Sequence, residues 1–421
     1  MANATEWEKI YGICCGIDVH KKLLVACLNR GNEQEVREFG ATTREILELL
    51  DWLMKNRCEI VAMESTGSYW KPLYNILEAC NMPAIVVNAQ HMKAVPGRKT
   101  DVNDAQWIAK LLQHGLLRAS FIPDKAQREL RELVGYRKSL VEDMTRELNR
   151  LQKMLEGANI KLSGTVSDIA GKSAMNLLEE VLKGTVMDKT VISRMRKEKK
   201  VSSRLKATDE QLADDLNGFL TPMQTMMIRE VLSHIKELAE HIRRLEDEID
   251  RHMDDAQKQA AKKIETVTGI GENSAKAIIS VIGTDMSRFP TDAHISSWAG
   301  LCPGNNESAK KRHAGKTRKG NKLLRTTLVV CAHAAVKDKA SYFSAQYQRI
   351  CAHRGGKRAI VAVAHSMLIA VYHILKDGVP FRDLGAGYFN QFNRERKINS
   401  LLKKLKELGW EEPVATAVQT A

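Results

Sequence analysis

Aromatic residues are scarce in this sequence, with Phe, Trp and Tyr making up 5% of it. A protein that grips unpaired bases by stacking them over a wide aromatic platform is therefore not expected. Eight cysteines are present, Cys14, Cys15, Cys27, Cys58, Cys80, Cys302, Cys331 and Cys351, and none form a C-x-x-C pair, which argues against a zinc site. Several sit in apolar, strand-like runs, as reduced and buried thiols of a cytoplasmic protein do. The opening MANATEWEKIYG lacks a charged segment followed by an apolar core, so no signal peptide is expected. The longest apolar stretch, 359–375, is interrupted by His365 and His373. It reads as a buried helix rather than a membrane span, and no membrane partner is expected. No Gly-x-Ser-x-Gly elbow surrounds Ser308, which stands in PGNNESAKKRHAGKTRKGNK, 303–322.

What is present is positive charge. The 421 residues include 65 Lys and Arg against 51 Asp and Glu, a formal net charge of +14 and a pI near 9.3. A surplus of that size favours a polyanionic partner, of which nucleic acid is the commonest, although a merely basic soluble protein has the same composition. After Ser308 come Lys310, Lys311, Arg312, Lys316, Arg318, Lys319, Lys322 and Arg325 with no intervening acid. Such density suits phosphate contacts, and Gly315 and Gly320 let the backbone approach closely. A solvated basic loop is the alternative, and the absence of acids weighs against it.

The hydrophobic pattern divides the chain. YGICCGIDVH, KLLVACLN and EVREFGAT predict a three-strand antiparallel meander. TREILELLDWLMKN predicts an amphipathic helix with Ile46, Leu47, Leu50 and Leu53 on one side. EIVAMEST, a strand ending in Glu64, is followed by the helix YWKPLYNILEACN, the strand PAIVVNA and the helix DVNDAQWIAKLLQHGL, which begins near Asp101. This is an α/β domain over 1–122. Over 123–262 apolar residues recur at helical spacing from Leu130 to Leu155 and again from Ile228 to Ile249. Two such helices fit an antiparallel coiled-coil arm, and plain core helices of a bundle fit nearly as well. The charged insertion between them, 163–222, reads as helical pieces and loops. A mostly helical domain follows over 263–389, and a charged tail over 390–421. Gly269 and Gly271 lie between two helical patterns, where a hairpin presents backbone N–H groups suited to a nucleic-acid phosphate. Many ordinary turns use two glycines in the same way.

Four acids of the first domain invite a joint reading. Asp18 ends the first strand, Glu64 ends another, and Asp101 and Asp104 lie three apart at a helix start. If the first strand is central and the Glu64 strand adjoins it, four carboxylates converge. Their mutual repulsion then calls for cations, and hard oxygen donors suit Mg²⁺ or Mn²⁺. Taken singly, each acid reads better as a turn or helix-start residue; jointly, with the strand-end placement and the basic chain, the metal reading is the better one.

The ordered motifs GIDVHKK, AMESTGSYW, KTDVNDAQWIAKLL, TGIGENSAKAIISVIG, WAGLCPG and TRKGNKLLR resemble the DEDD transposases of bacterial insertion sequences related to the Piv/MooV DNA invertases, among them bridge-RNA-guided recombinases. The resemblance implies an α/β-plus-α fold: a RuvC-like, ribonuclease-H-type first domain, a coiled-coil arm, and a transposase domain with a helix-hairpin-helix-like element. It implies that Asp18, Glu64, Asp101 and Asp104 hold Mg²⁺ or Mn²⁺, and that a serine shortly after the AGL-x-P segment, here Ser308, is the nucleophile. The flanking NNESAKK lacks the glycine that often follows that serine. Ser296 and Ser297 are rivals that precede WAGL in a predicted helix, and Ser274 sits in the glycine hairpin. Further implications are donor and target DNA as partners, a guide RNA, a homo-oligomer (a dimer or a tetramer) with a composite site, and a bacterial cytoplasm as location, at the nucleoid when acting. Two alternatives stay open: a RuvC-type structure-selective nuclease that uses water, and a non-catalytic nucleic-acid-binding scaffold.

Overall fold

The computed structural model describes residues 8–65, 67–88, 104–303, 307–308, 311–312, 317, 320–391 and 394–409, with the backbone alone at 307–308, 311–312, 390–391, 394–397 and 406. The chain divides into two compact units, Met1–Asp124 and Lys125–Ala421.

The first unit is built on a five-stranded sheet of β1 (Ile13–Val19), β2 (Leu23–Arg30), β3 (Glu33–Gly40), β4 (Ile60–Glu64) and β5 (Ala84–Val87). The strand order is β3-β2-β1-β4-β5; the first three strands pair antiparallel, and β1, β4 and β5 pair parallel. The meander needs only short turns, whereas the parallel pairs require crossovers. These crossovers carry α1 (Thr43–Lys55) and α2 (Trp70–Ala79). Side chains alternate across the pleat. Cys15, Ile17, Val19, Val61 and Met63 therefore face one way, where they pack with Ile46, Leu49, Leu53, Leu73 and Leu77 of α1 and α2. Cys14 and Ala62 face the other way and pack with Ile108 and Leu112 of α3 (Asp104–Gln113). The sheet is thus covered on both faces. In α1 the buried residues are Ile46, Leu49, Leu50, Trp52 and Leu53, whereas Leu47, expected on the inner side, is 46% exposed. It lies about 100° around the helix from Ile46, beyond the edge of the stripe.

The second unit is helical. Its long helices α4 (Lys125–Gly157) and α9 (Pro222–His252) pack antiparallel, with Arg137 of one meeting Glu246 of the other at 2.9 Å. Thr221 and Gln224 start α9 with a reciprocal capping box and Pro222 follows at the first helical position, so the helix start is written locally. The pair serves two cores. At one end Leu151 and Leu155 join Ile228, Val231, Leu232 and Ile235 with the four short helices α5 (Leu162–Thr165), α6 (Lys172–Leu182), α7 (Lys189–Lys197) and α8 (Asp209–Leu216). The insertion, polar in sequence, thus has an apolar core of its own. At the other end Leu130, Val134 and Ile249 join the core of α10 (Asp255–Ile264), α11 (Glu272–Ile282), α12 (Asp292–Trp298), α13 (Lys322–Ala335), α14 (Tyr342–Arg354) and α15 (Gly356–Asp377). Buried Gln127 donates to the carbonyls of Ile279 and Ser280, satisfying the end of α11. α15 is long and apolar enough to cross a membrane by length and composition, and its Ile360, Val363, Ala364, Met367, Leu368 and Val371 are buried in this core. Two short helices, α16 (Tyr388–Gln391) and α17 (Arg394–Glu407), follow.

Candidate functional site

Of the acids singled out above, three are described. Gly16 pairs with Ala62 and Ile17 with Met63 in the parallel β1–β4 ladder, so the next residues, Asp18 and Glu64, stand level at the carboxyl ends of adjacent strands. The two-residue period puts both on the α3 face of the sheet. α3 runs opposite to β1. Its Ala105 packs with Val25, the ladder partner of Asp18, and the carbonyl of Gln113, its last residue, accepts from the N–H of Ile10 at 2.8 Å, before β1 begins. Asp104, the first residue of α3, therefore lies at the strand end that carries Asp18 and Glu64.

Gly16 makes this approach feasible. A Cβ on Gly16 would lie 2.2 Å from the backbone nitrogen of Ala109 and 2.5 Å from the carbonyl oxygen of Ala105. Any side chain there would push α3, and Asp104 with it, off the sheet. Asp101 lies outside the described residues.

The donor set fits Mg²⁺ or Mn²⁺ in kind, since carboxylate oxygens are the hard ligands these ions take. In number, the described residues assemble no group of three or more metal-ligating side chains. One neighbour escaped the sequence reading: His20 Nε2 lies 3.1 Å from Asp18 Oδ2, with the carboxylate side chain 13% exposed and the imidazole 57%. The signal was its place two residues after Asp18, on the turn to β2. The thiols under α3 on the same face of the sheet are inert by comparison. Burial pushes the Cys14 thiol up to about 12 and the Cys27 thiol up to about 11, well away from the range of reactive thiolates.

The second group of candidates lies in the helical unit. Ser308 is in β6 (Glu307–Ser308), paired antiparallel with β7 (Lys311–Arg312), so that Ser308 stands opposite Lys311. A bridge between Pro303 and Thr317 closes the same hairpin further out. Lys310, Lys316, Arg318 and Lys319 lie outside the described residues. Lys322 opens α13 and is exposed, whereas Arg325 donates through Nη2 to Thr317 Oγ1 at 2.9 Å. Gly320 sits against the WAGL segment: a Cβ there would lie 2.4 Å from the carbonyl oxygen of Ala299. Two motifs far apart in pattern are thus in backbone contact.

Ser296 and Ser297 lie in α12, and Ser296 is wholly buried with no partner for its hydroxyl among the described residues. Gly269, at φ +90°, packs its backbone against α13, where a Cβ would meet Cys331 and Ala335 at 2.6–2.7 Å. Gly271 caps α11 and is open on its outer side. Beside this turn, a cleft of about 350 Å³ is lined by Arg137, Lys138, Asn273, Ser274 and Thr326 among others.

Two family descriptions match the chain, the first over the sheet unit and the start of the helical unit, the second within the helical unit. Residues 15–160 match a transposase family described as the DEDD transposases of IS110, and residues 261–348 match the transposase IS116/IS110/IS902 family. Among relatives, the chain is 26% identical over 299 residues to the "Insertion element IS110 uncharacterized 43.6 kDa protein" of Streptomyces coelicolor, covering 67% of this chain and 72% of that protein. It is 24% identical over 324 residues to "Putative transposase y4qE" of Sinorhizobium fredii, covering 75% of this chain and 70% of that one.

Proposed function

We propose that this chain, similar in both its matched segments to IS110-family transposases, cuts and rejoins DNA with the help of a divalent metal at the carboxyl end of β1 and β4. The observation that carries the reading is the level placement of Asp18 and Glu64 on the α3 face, with Asp104 at the start of α3. Asp18, Glu64, Asp101 and Asp104 would hold Mg²⁺ or Mn²⁺. When bound, such an ion withdraws charge from a phosphodiester oxygen and stabilises the charge that develops during displacement. The DEDD in the matched family's name, three aspartates and a glutamate, is in keeping with this part.

Ser308 is proposed as the nucleophile on the resemblance and on its place in a hairpin rich in cations. In that step its Oγ forms a bond to phosphorus and gives up its proton to solvent base. The bond from phosphorus to the 3′ oxygen breaks, and that oxygen takes up a proton to leave a free 3′ hydroxyl. Reversal on a second strand rejoins DNA without added nucleotide energy. Hydrolysis by water, as in a RuvC-type nuclease, is the rival reading, and the DEDD description suits it as well. A guide RNA and assembly of two or four copies through the α4–α9 arm complete the proposal, resting on the resemblance and the basic surplus.

End-labelled DNA incubated with the chain and Mg²⁺, then run on a denaturing gel, separates the readings. A protein-linked band lost in Ser308→Ala supports the serine pathway. Cleavage that persists in Ser308→Ala, with no linked band in either protein, overturns it in favour of water. Absence of cleavage loss in Asp18→Asn overturns the metal reading.

A further inference from the structure

The charge of this chain is not spread evenly. Residues 308–376 contain fifteen Lys and Arg and one acid, Asp338. That surplus equals the +14 of the whole chain, so everything outside this segment is balanced. The helical arm illustrates the balance: Arg137 meets Glu246, Arg150 meets Glu147, Arg243 meets Glu240 and Asp247, and Lys236 meets Glu179.

The described part of the basic segment behaves differently. Arg354 ends α14, Gly355 turns the chain at φ +79°, and Lys357 and Arg358 lie in the first turn of α15. All three cations are exposed, and none is ion-paired with a described residue. Gly355 has open space where a side chain would stand, so an approaching surface meets backbone flanked by three charges.

The packing aligns this corner with the cations of α13. Ser341, just before α14, bonds to the carbonyl of Ala335 at the end of α13, and Phe343 of α14 stacks on Phe381, just past α15. The carboxyl ends of α13 and α15 thus meet at the start of α14, and α13 packs along α15. Their amino ends, with Lys322 on one and Lys357 and Arg358 on the other, lie toward the same end of the unit. Like charges collected without acids are destabilising unless a polyanion neutralises them.

We propose that the α14–α15 corner, through Arg354, Lys357 and Arg358, is a contact surface for the phosphate backbone of duplex DNA. It extends the contacts expected of residues 310–325 onto a separate pair of helices, and it rests on the reading of the chain as a DNA-acting transposase. Among the described residues no exposed aromatic ring stands at the corner, which favours backbone contact over base stacking.

The test measures binding of the full chain to a fluorescein-labelled random duplex of about 40 base pairs by anisotropy, across a salt series. Three backbone contacts contribute about 0.9 each to the slope of log affinity against log salt. The triple variant R354Q/K357Q/R358Q is expected to lose roughly 2 to 3 from that slope and about tenfold in affinity near 0.15 M salt. A control, K197Q/K199Q/R204Q, removes three exposed cations from the balanced insertion and is expected to leave the slope unchanged.

An unchanged slope in the first variant, or an equal loss in the control, overturns the proposal. A loss seen with an RNA hairpin but not with the duplex overturns duplex DNA as the ligand. If the unaltered chain binds no duplex, the transposase reading falls and this proposal with it; a parent that binds with a corner variant that binds equally well sinks the proposal alone. Should the triple variant fail to fold by circular dichroism, Lys357→Gln alone is expected to lower the slope by about one.

Discussion

The sheet unit and the helical unit treat charge in opposite ways. In the first, acids stand at the carboxyl end of two parallel strands, placed by ladder register and by the close approach of α3. In the second, cations without acid partners among the described residues gather at one end of a helix bundle, placed by how α13, α14 and α15 pack. The first arrangement costs repulsion that a metal would relieve, and the second costs repulsion that a phosphate backbone would relieve. Under the proposed function, the difference amounts to a division of labour: chemistry at the strand end, grip on the helical end.

That division is breakable by experiment, and the strongest blow falls on Asp18. Partners behind a metal ligand are worth 10–100-fold, so Asp18→Asn, which removes a proposed ligand itself, is expected to lower DNA cleavage on the order of 10³-fold. Duplex affinity should stay within about twofold in the same salt series; a parallel loss of binding would dissolve the contrast between the two ends.

Next in size is Gly16→Val. Overpacking against the Ala105 and Ala109 backbone is expected to cost about 3 kcal/mol of first-unit stability. Chemical denaturation followed by tryptophan fluorescence measures it, and a variant as stable as the parent would show that α3 is not held where Asp104 requires it.

A smaller effect tests the core beneath the cationic helices. Burial lowers the His365 imidazole below its ordinary 6.5, with Asp292 opposing. The unfolded chain then binds the proton more readily, so stability is intact above about pH 6.5 and falls as the pH drops through the folded value. The melting temperature should decline from pH 7.5 to 5, and His365→Gln should flatten that decline. An unaltered profile in the variant would assign the pH dependence elsewhere.

The smallest effect is expected in the balanced arm. Arg243 lies 66% exposed between Glu240 and Asp247, and Arg243→Ala should change stability by no more than about 0.5 kcal/mol. A change in the DNA salt slope from this variant would blur the line between balanced arm and basic end.

Much of the first unit was legible from local pattern. The short apolar runs ICCGIDV and KLLVACLN, joined by a tight turn, predict the meander, and the acids fall at strand ends because the apolar runs stop there. Gly16 was not legible as the contact point of α3, since a glycine in a strand looks the same whether or not a helix crosses it. His20 was passed over for a similar reason: two residues along a turn say little about which way an imidazole folds back. Periodicity found both long helices of the arm, but it could not say that Leu151 and Ile228 serve one core while Leu130 and Ile249 serve another. In the insertion, charges between short apolar runs hid Leu177, Ile192 and Leu212, which are wholly buried.

Sequence alone determined the strands, the helix starts with their caps, the order of the motifs and the amount of charge, because each depends on neighbours a few residues apart. The tertiary structure decided which charges stand together. Asp18 stands level with Glu64 through ladder register, Gly320 meets Ala299 across a hairpin, and Arg354, Lys357 and Arg358 share an end with Lys322 through helix packing. Those meetings depend on contacts between residues distant in the chain, which burial of apolar surface selects and no local pattern encodes.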